Sequence, residues 1–280
     1  MKLYKCFIYA IMVVIAFSLQ GCHKDEGNEN QDPGENEDPP QSTLSVSVNG
    51  VNFNMKYVEG GTFIMGGQNE NSHGYSYDAN AQEWEMPLHY VELSSFYIAE
   101  TEVTQALWKA VMGDNPSCFV GDDLPVETVD WSACNQFIDS LNTLTGRFFS
   151  LPTEAQWEYA ARGGKQGCDH DYKYSGSNNI EKVAWYNQNS DSTHTVAKKQ
   201  PNELGVYDMS GNVMELCRDY FGNYSDYQQE NPMGPETGNR RVIRGGSWGN
   251  APTVGRVSCR NFCYEDTKNN NLGLRLVTRR

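Results

Sequence analysis

The sequence predicts an α+β domain with few regular elements and long surface loops, and three observations predict it. Short alternating stretches run into glycine, as at Tyr57–Gly66. Three separated stretches read as helices, two from their start and stop residues and one from its helical spacing. The composition is rich in turn formers and aromatics, with 26 glycines, 16 tyrosines and 6 tryptophans among 280 residues, which favours short strands joined by loops.

The order of elements begins with an export segment. Lys2 and Lys5 precede an uncharged apolar run from Cys6 to Leu19. That run is shorter than the ~20 apolar residues a membrane-spanning helix needs, and small residues follow it, as in a secretory signal. Leu19-Gln20-Gly21-Cys22 resembles a lipobox, which makes residues 1–21 a lipoprotein signal and Cys22 the lipid attachment site. An ordinary signal peptide cut near Gly21 is the alternative. His23-Lys24-Asp25-Glu26 is similar to the signal that sends some Gram-negative lipoproteins to the outer face of the cell. The expected location is therefore the outer membrane, with the domain exposed at the surface and the membrane contacted through the lipid. Stable anchoring takes more than one acyl chain, which bacterial lipoproteins carry.

Residues 22–42 read as an acidic tether. From His23 to Ser42 there are seven acids, one lysine and no large apolar side chain, so nothing offsets the entropy of ordering it. The formal net charge of the chain is −14, and most of it falls on the domain of residues 43–280. A surface that acidic argues against nucleic acid as a partner. It is compatible with cations, neutral sugars or basic proteins.

Within the domain, Tyr57–Gly66 reads as a strand and turn, and His89 to Ala99 as a second strand. Thr104 opens a helix over Gln105–Met112 that Gly113 stops. A second helix runs from about Ser132 to Leu144, where Ala133, Phe137, Leu141 and Leu144 recur at helical spacing. A third has the sharpest ends: Thr153 with Gln156 forms a capping box, and Gly163-Gly164 terminates it. Ile243–Trp248 and Leu272–Thr278 are the last strands expected. Six cysteines remain after Cys6 and Cys22: Cys118, Cys134, Cys168, Cys217, Cys259 and Cys263. Their spacing reads as no zinc site, and sequence does not choose among the fifteen pairings that six cysteines allow.

Several strings are more specific than their periodicity. Tyr57–Gly66, Thr101-Glu102-Val103-Thr104, Leu151–Gly164, Gly205–Glu215, Arg244-Gly245-Gly246-Ser247-Trp248 and Leu272–Leu276 occur in order. Together they resemble the signature blocks of the sulfatase-modifying-factor (formylglycine-generating) family, over nearly all of Tyr57 to Val277. The resemblance implies a C-type-lectin-like fold. Founding members of that family oxidise a sulfatase cysteine to formylglycine with two cysteines, four residues between them, just after the Gly-Gly-Ser-aromatic block. Paired thiolates suit copper(I) because both partners are soft. Here Asn250 and Gly255 stand where those cysteines are expected, so the resemblance implies no catalytic residue and no copper site. Cys259 and Cys263 lie a few residues downstream, either as a displaced metal or redox pair or as ordinary cysteines.

The resemblance also implies a structural calcium ion in the loop Tyr207–Glu215. Asp208 and Glu215 would give carboxylate oxygens and Gly211 and Val213 backbone carbonyls, hard donors of the kind calcium takes. The alternative is that Asp208 caps a turn and Glu215 pairs with an arginine. The mixed segment from Gly249 to Asn271 is similar to the displayed face of lectin-fold proteins diversified by retroelements; a plain surface loop is the simpler account. Aromatic and asparagine side chains on a rigid scaffold suit recognition. Trp248, Asn250, Thr253, Arg256, Phe262 and Tyr264 are the residues expected to meet a protein or glycan ligand. The function expected is thus a non-catalytic binding module. A divergent formylglycine-generating oxidase and a structural accessory of an envelope secretion or motility assembly are the alternatives.

Overall fold

Strands β1 (Thr43–Val48) and β2 (Val51–Val58) form a hairpin whose two turn residues, Asn49 and Gly50, both have positive φ. Two-residue hairpin turns demand that conformation, and asparagine and glycine tolerate it best. The computed structural model describes residues 41–279, so the expectations for the signal segment, Cys22 and nearly all of the tether fall outside the described residues. From β2 the sheet continues antiparallel through β5 (Phe96–Ala99) and β12 (Val277–Thr278) to β6 (Phe149–Ser150).

Three stretches expected as single strands are each divided. Tyr57–Gly66 breaks after Val58, and β3 (Gly61–Met65) enters a different sheet with β4 (His89–Leu93) and β8 (Gln229–Glu230). His89–Ala99 breaks at Ser94-Ser95, where Gly60 donates to the Ser95 hydroxyl at 2.9 Å. Any side chain on Gly60 would collide with the backbone of Leu93 and Ser95, so the two breaks lock together. Leu272–Thr278 divides into β11 (Leu272–Leu274) and β12 around Arg275, which is fully buried between them. Strand β11 belongs to a third sheet, in the order β10 (Arg260–Tyr264), β9 (Arg240–Arg244), β7 (Met214–Tyr220), β11. The expected strand Ile243–Trp248 therefore ends at Arg244, because Gly245 and Gly246 both take positive φ and turn the chain away.

The helices follow their local signals closely. Helix α1 (Gln105–Met112) is capped by the Thr104 hydroxyl and closed by left-handed Gly113. Helix α2 (Trp131–Thr145) is capped by Asp130, whose carboxylate accepts from Ala133 at 2.8 Å, and closed by Gly146. Helix α3 (Glu154–Ala161) shows the expected capping box between Thr153 and Gln156. Helices α1 and α2 meet through Trp108 and Phe137, stacked at 4.8 Å, on one face of the five-stranded sheet. Helix α3 packs on the other face. Along β5, Tyr97 and Ala99 join the α1–α2 core while Phe96 and Ile98 join the α3 core. A strand covered on both faces has no polar side to show, which is why β5 reads as an unbroken apolar run.

Candidate functional site

Helix α3 is buried almost all round, although it carries Glu154 and Glu158. Three arginines make that burial tolerable. Arg244 reaches Glu154 at 2.9 Å and Glu158 at 2.5 Å, Arg260 holds both oxygens of Glu154, and Arg162 pairs with Glu158 one turn along the helix. Burial alone pushes the Glu158 carboxyl up, and Arg162 and Arg244 more than reverse it, leaving it below the usual carboxylate range. Arg244 is the last residue of β9 and Arg260 the first of β10, so the pairs fix both ends of the connection Gly245–Cys259. This connection contains the positions at which the family resemblance expects cysteines.

At the start of that connection the turn is tightly closed. Asn250 accepts from the Ser247 hydroxyl at 2.7 Å, its amide N–H donates to the Ser247 carbonyl at 3.0 Å, and its carbonyl accepts from Asn187 at 3.1 Å. Gly246 takes φ +68° and lies against Gly255, a side-chain-free contact at the second expected position. Trp248 is half-buried, edge-on to Phe119 at 5.5 Å, with its indole N–H on the Asn270 carbonyl at 3.1 Å. Around this turn, Trp185 Nε1, Thr193 Oγ1 and Asn271 Oδ1 are buried with no hydrogen-bond partner.

The six residues expected to meet a ligand do not form one patch. Trp248, Asn250 and Thr253 lie along the turn and the short 3₁₀ segment Pro252–Val254, with Thr253 exposed. Phe262 and Tyr264 lie on edge strand β10, where Phe262 packs on Phe221 at 5.0 Å under the Arg240 guanidinium and Tyr264 is 56% exposed. Arg256 is corrected: it is 2% exposed, and its guanidinium holds both oxygens of Glu85 at 2.7 Å. It is framework. Beside it lies an open cleft of about 310 Å³ whose wall includes Tyr77, Asp78, Tyr172, Lys173 and Asn178.

The six thiols are unpaired. Cys263 points into the core shared with α2, whereas Cys259 lies against Arg256 and Glu85. Burial pushes both thiols up to about 11, away from the thiolate that metal binding and nucleophilic attack require.

The acidic loop residues divide between two tasks. Glu215 accepts two-pronged hydrogen bonds from Arg275 and one from the Trp157 indole at 2.7 Å, so its carboxylate is neutralised and fully occupied. The expected role of Glu215 as a calcium ligand is corrected for that reason. Gly211 takes φ +87° and presses on the Trp185 backbone, where no side chain fits, and Val213 is buried. Asp208 is 3% exposed; Oδ2 accepts from Ala197 at 2.7 Å and Oδ1 has no partner. Glu102 is 2% exposed with both carboxylate oxygens unpartnered. Burial first, and then the negative charge each feels, raise both carboxyls, Asp208 to about 6 and Glu102 well above its ordinary value through its neighbour Asp208. The sequence reading missed Glu102, although it stands inside the recognised Thr-Glu-Val-Thr block. Among the described residues no three His, Cys, Asp or Glu side chains converge as metal ligands. A cation at Glu102 and Asp208 would need backbone carbonyls to complete its shell.

A family described as the sulfatase-modifying factor enzyme 1-like domain matches residues 45–280. The chain is 33% identical over 219 residues to the chaperone protein LppX of Paenibacillus barcinonensis, covering 60% of this chain and 74% of that protein. To the formylglycine-generating enzyme of Streptomyces coelicolor it is 37% identical over 141 residues, 45% of each, so it aligns with less than half of that enzyme. Among solved structures, Treponema denticola variable protein 1 superposes with a TM-score of 0.76 at 31% identity, covering 86% of this chain and all of that one. These likenesses agree with the fold class read from the sequence blocks.

Asp219, at the end of β7, gives a pH signature of this core. Its carboxyl is 4% exposed and accepts from the Glu154 amide at 2.9 Å. Burial, then the neighbouring Glu154 charge, raise it from 3.8 to about 7. Below about pH 4 it is protonated folded and unfolded alike; between 4 and 7 only the unfolded chain releases the proton, so the native state loses stability as pH rises. Asp219→Asn removes that loss. Urea unfolding should give the variant a relative gain of about 1–3 kcal/mol on going from pH 4.5 to pH 8; a difference that does not change with pH would contradict the assignment.

Proposed function

The chain belongs to the sulfatase-modifying factor enzyme 1-like family, and within it we propose that this chain is a non-catalytic recognition module, held at the cell envelope by a lipid on Cys22. The observation that carries this reading is the chemistry of the turn after Arg244. Where the resemblance expects two thiolates stand an asparagine amide hydrogen-bonded to Ser247 and a glycine packed on Gly246. Neither donates to copper(I), which prefers soft sulfur. The nearest cysteine along the chain, Cys259, is kept protonated by burial and faces an arginine–glutamate pair rather than a second thiol.

What remains at this end of the molecule is a rigid display. The Arg244 and Arg260 ion pairs anchor the two strand ends, and the segment between them exposes Thr253 beside the half-buried Trp248 and Asn250. Phe262 and Tyr264 offer a second aromatic surface on the sheet edge. The ligand would be a protein or a glycan. Outer-membrane attachment with the domain facing outward belongs to the same proposal and rests on the Lys2–Glu26 sequence pattern.

A structural calcium ion is part of the proposal, with a revised set of donors. The unpartnered, buried oxygens of Glu102 and Asp208 are the features that fit a cation. Gly211 and Val213 would add carbonyl oxygens, and calcium accepts such mixed shells. The ion would neutralise two adjacent carboxylates and tie the Tyr207–Glu215 loop to the Thr101–Thr104 segment.

Three measurements test these readings. Titration of the full chain with copper(I) against a competing chelator should reveal no stoichiometric dithiolate site, and a sulfatase-derived cysteine peptide should keep its thiol by mass. Tight one-to-one binding with aldehyde formation would make the chain an oxidase instead. Cys22→Ser should move the protein from the membrane to the soluble fraction, whereas unchanged fractionation would remove the lipid anchor. Calcium at a hundredfold excess over its dissociation constant should stabilise the chain by about 2.7 kcal/mol, seen as a higher melting temperature than in chelator and abolished in Glu102→Gln. Identical melting with and without calcium would exclude the ion.

A further inference from the structure

Strands β7 and β9 are hydrogen-bonded antiparallel neighbours, a pair that a tight turn can join, yet residues 221–239 separate them. Loops of that length inside a compact domain usually carry function. This one is pinned at both ends and in the middle. Phe221 donates to the Arg240 carbonyl at 2.8 Å, Asn231 donates to Glu92 at 2.8 Å, and the Asn231 side chain accepts from Ser94 at 2.9 Å. Strand β8 within it runs parallel to β4. Phe221 and Tyr224 pack against the α3 core, and Tyr224 reaches Glu154 and Arg260. The loop lines an open cleft of about 310 Å³ together with Met65, His89 and Asp219, with Met233 57% exposed at its edge.

The chemistry of the walls narrows what fits. The strong charges there cancel: every Arg260 nitrogen is taken, by Glu154, the Trp84 carbonyl and the Gly222 carbonyl, and Glu154 is held by Arg244, Arg260 and Tyr224. Neither offers a free charge to an ion. Burial keeps the Asp219 carboxyl protonated up to about 7, so it too behaves as a neutral group that donates and accepts. His89 Nδ1 lies 3.0 Å from the Pro87 carbonyl, which can only accept, so Nδ1 carries a hydrogen there. Asn223, Ser225 and Gln229 complete the wall, and each both donates and accepts. Such a ring of two-way groups, spread around an aromatic and methionine-lined floor, matches a ligand whose own polar groups are hydroxyls. The volume sits at the lower end of small-molecule sites, about 300 Å³.

We infer that the cleft beside the 221–239 loop is a binding site for a neutral, hydroxyl-rich ring of monosaccharide size, such as one residue of a glycan. None of Trp248, Asn250, Thr253, Phe262 and Tyr264 lines it, so the site does not depend on their role.

Saturation-transfer NMR of the full chain with methyl glycosides of glucose, galactose, mannose and N-acetylglucosamine tests it. At least one glycoside should give a signal. Met233→Trp, which puts an indole into the mouth from an exposed position, should weaken it at least tenfold, and Gln229→Ala should weaken it several-fold. Tyr264→Ala should leave it unchanged. Melting curves matching the parent confirm that both cavity variants fold. No signal from any of the four glycosides overturns the proposal, as does a signal that survives Met233→Trp and Gln229→Ala. A signal lost in Tyr264→Ala instead would overturn it too, while supporting sugar binding at the proposed recognition face.

Discussion

Two glutamates on one short buried helix, Glu154 and Glu158, hold together most of what distinguishes this structure. An unpaired charge in such a position costs several kcal/mol, and removing one partner of a buried pair costs about 3–5 kcal/mol. Three arginines from distant parts of the chain therefore have to converge on α3. Arg162 comes from the helix's own C-terminal end, Arg244 from the end of β9 and Arg260 from the start of β10. Tyr224, from the long loop after β7, adds its hydroxyl to Glu154 and its ring to Arg260. One charge cluster thereby positions the glycine turn, the edge strand and the loop beside the cleft. Two outlying pairs repeat the device: Glu85 with Arg256, and Glu215 with Arg275.

This scaffold separates rigidity from chemistry. The ion pairs set the strand ends without using any side chain of the connection between them, Arg244 touching only the Val257 carbonyl, so the side chains there are free to differ while the fold persists. In this chain they are Ser247, Asn250 and Gly255, a set that closes a turn by hydrogen bonding and close packing rather than by metal ligation. The same logic explains why a likeness in sequence to a formylglycine-generating enzyme and a likeness in fold to a variable protein can hold at once. A fold carries function only through the site built on it.

The first and third helices were legible because their ends are chemical, and the second because Ala133, Phe137, Leu141 and Leu144 recur at helical spacing. Thr104, Asp130 and Thr153 each satisfy amides within three residues of themselves, and Gly113 and Gly146 relieve a left-handed strain at the other end. The strands were less legible. Tyr57–Gly66, His89–Ala99 and Leu272–Thr278 each read as one strand, yet each changes sheet in the middle, at Gly60, Ser95 and Arg275. Periodicity records that a residue faces a core without recording which core. Arg256 shows the same limit at the site: its place in a polar, mixed segment suggested display, and its partner Glu85 lies 171 positions away.

Chain order alone settled the helix boundaries, the succession of the signature blocks and the missing pair of thiols, because each is a property of neighbours along the chain. Which charges neutralise one another was settled only by folding. It put Glu215 on Arg275, left Glu102 and Asp208 with bare oxygens, and opened a cleft beside residues 221–239. Those outcomes depend on distances between groups separated by tens to hundreds of residues, and Coulomb and desolvation energies act through space, where chain order carries no record of them.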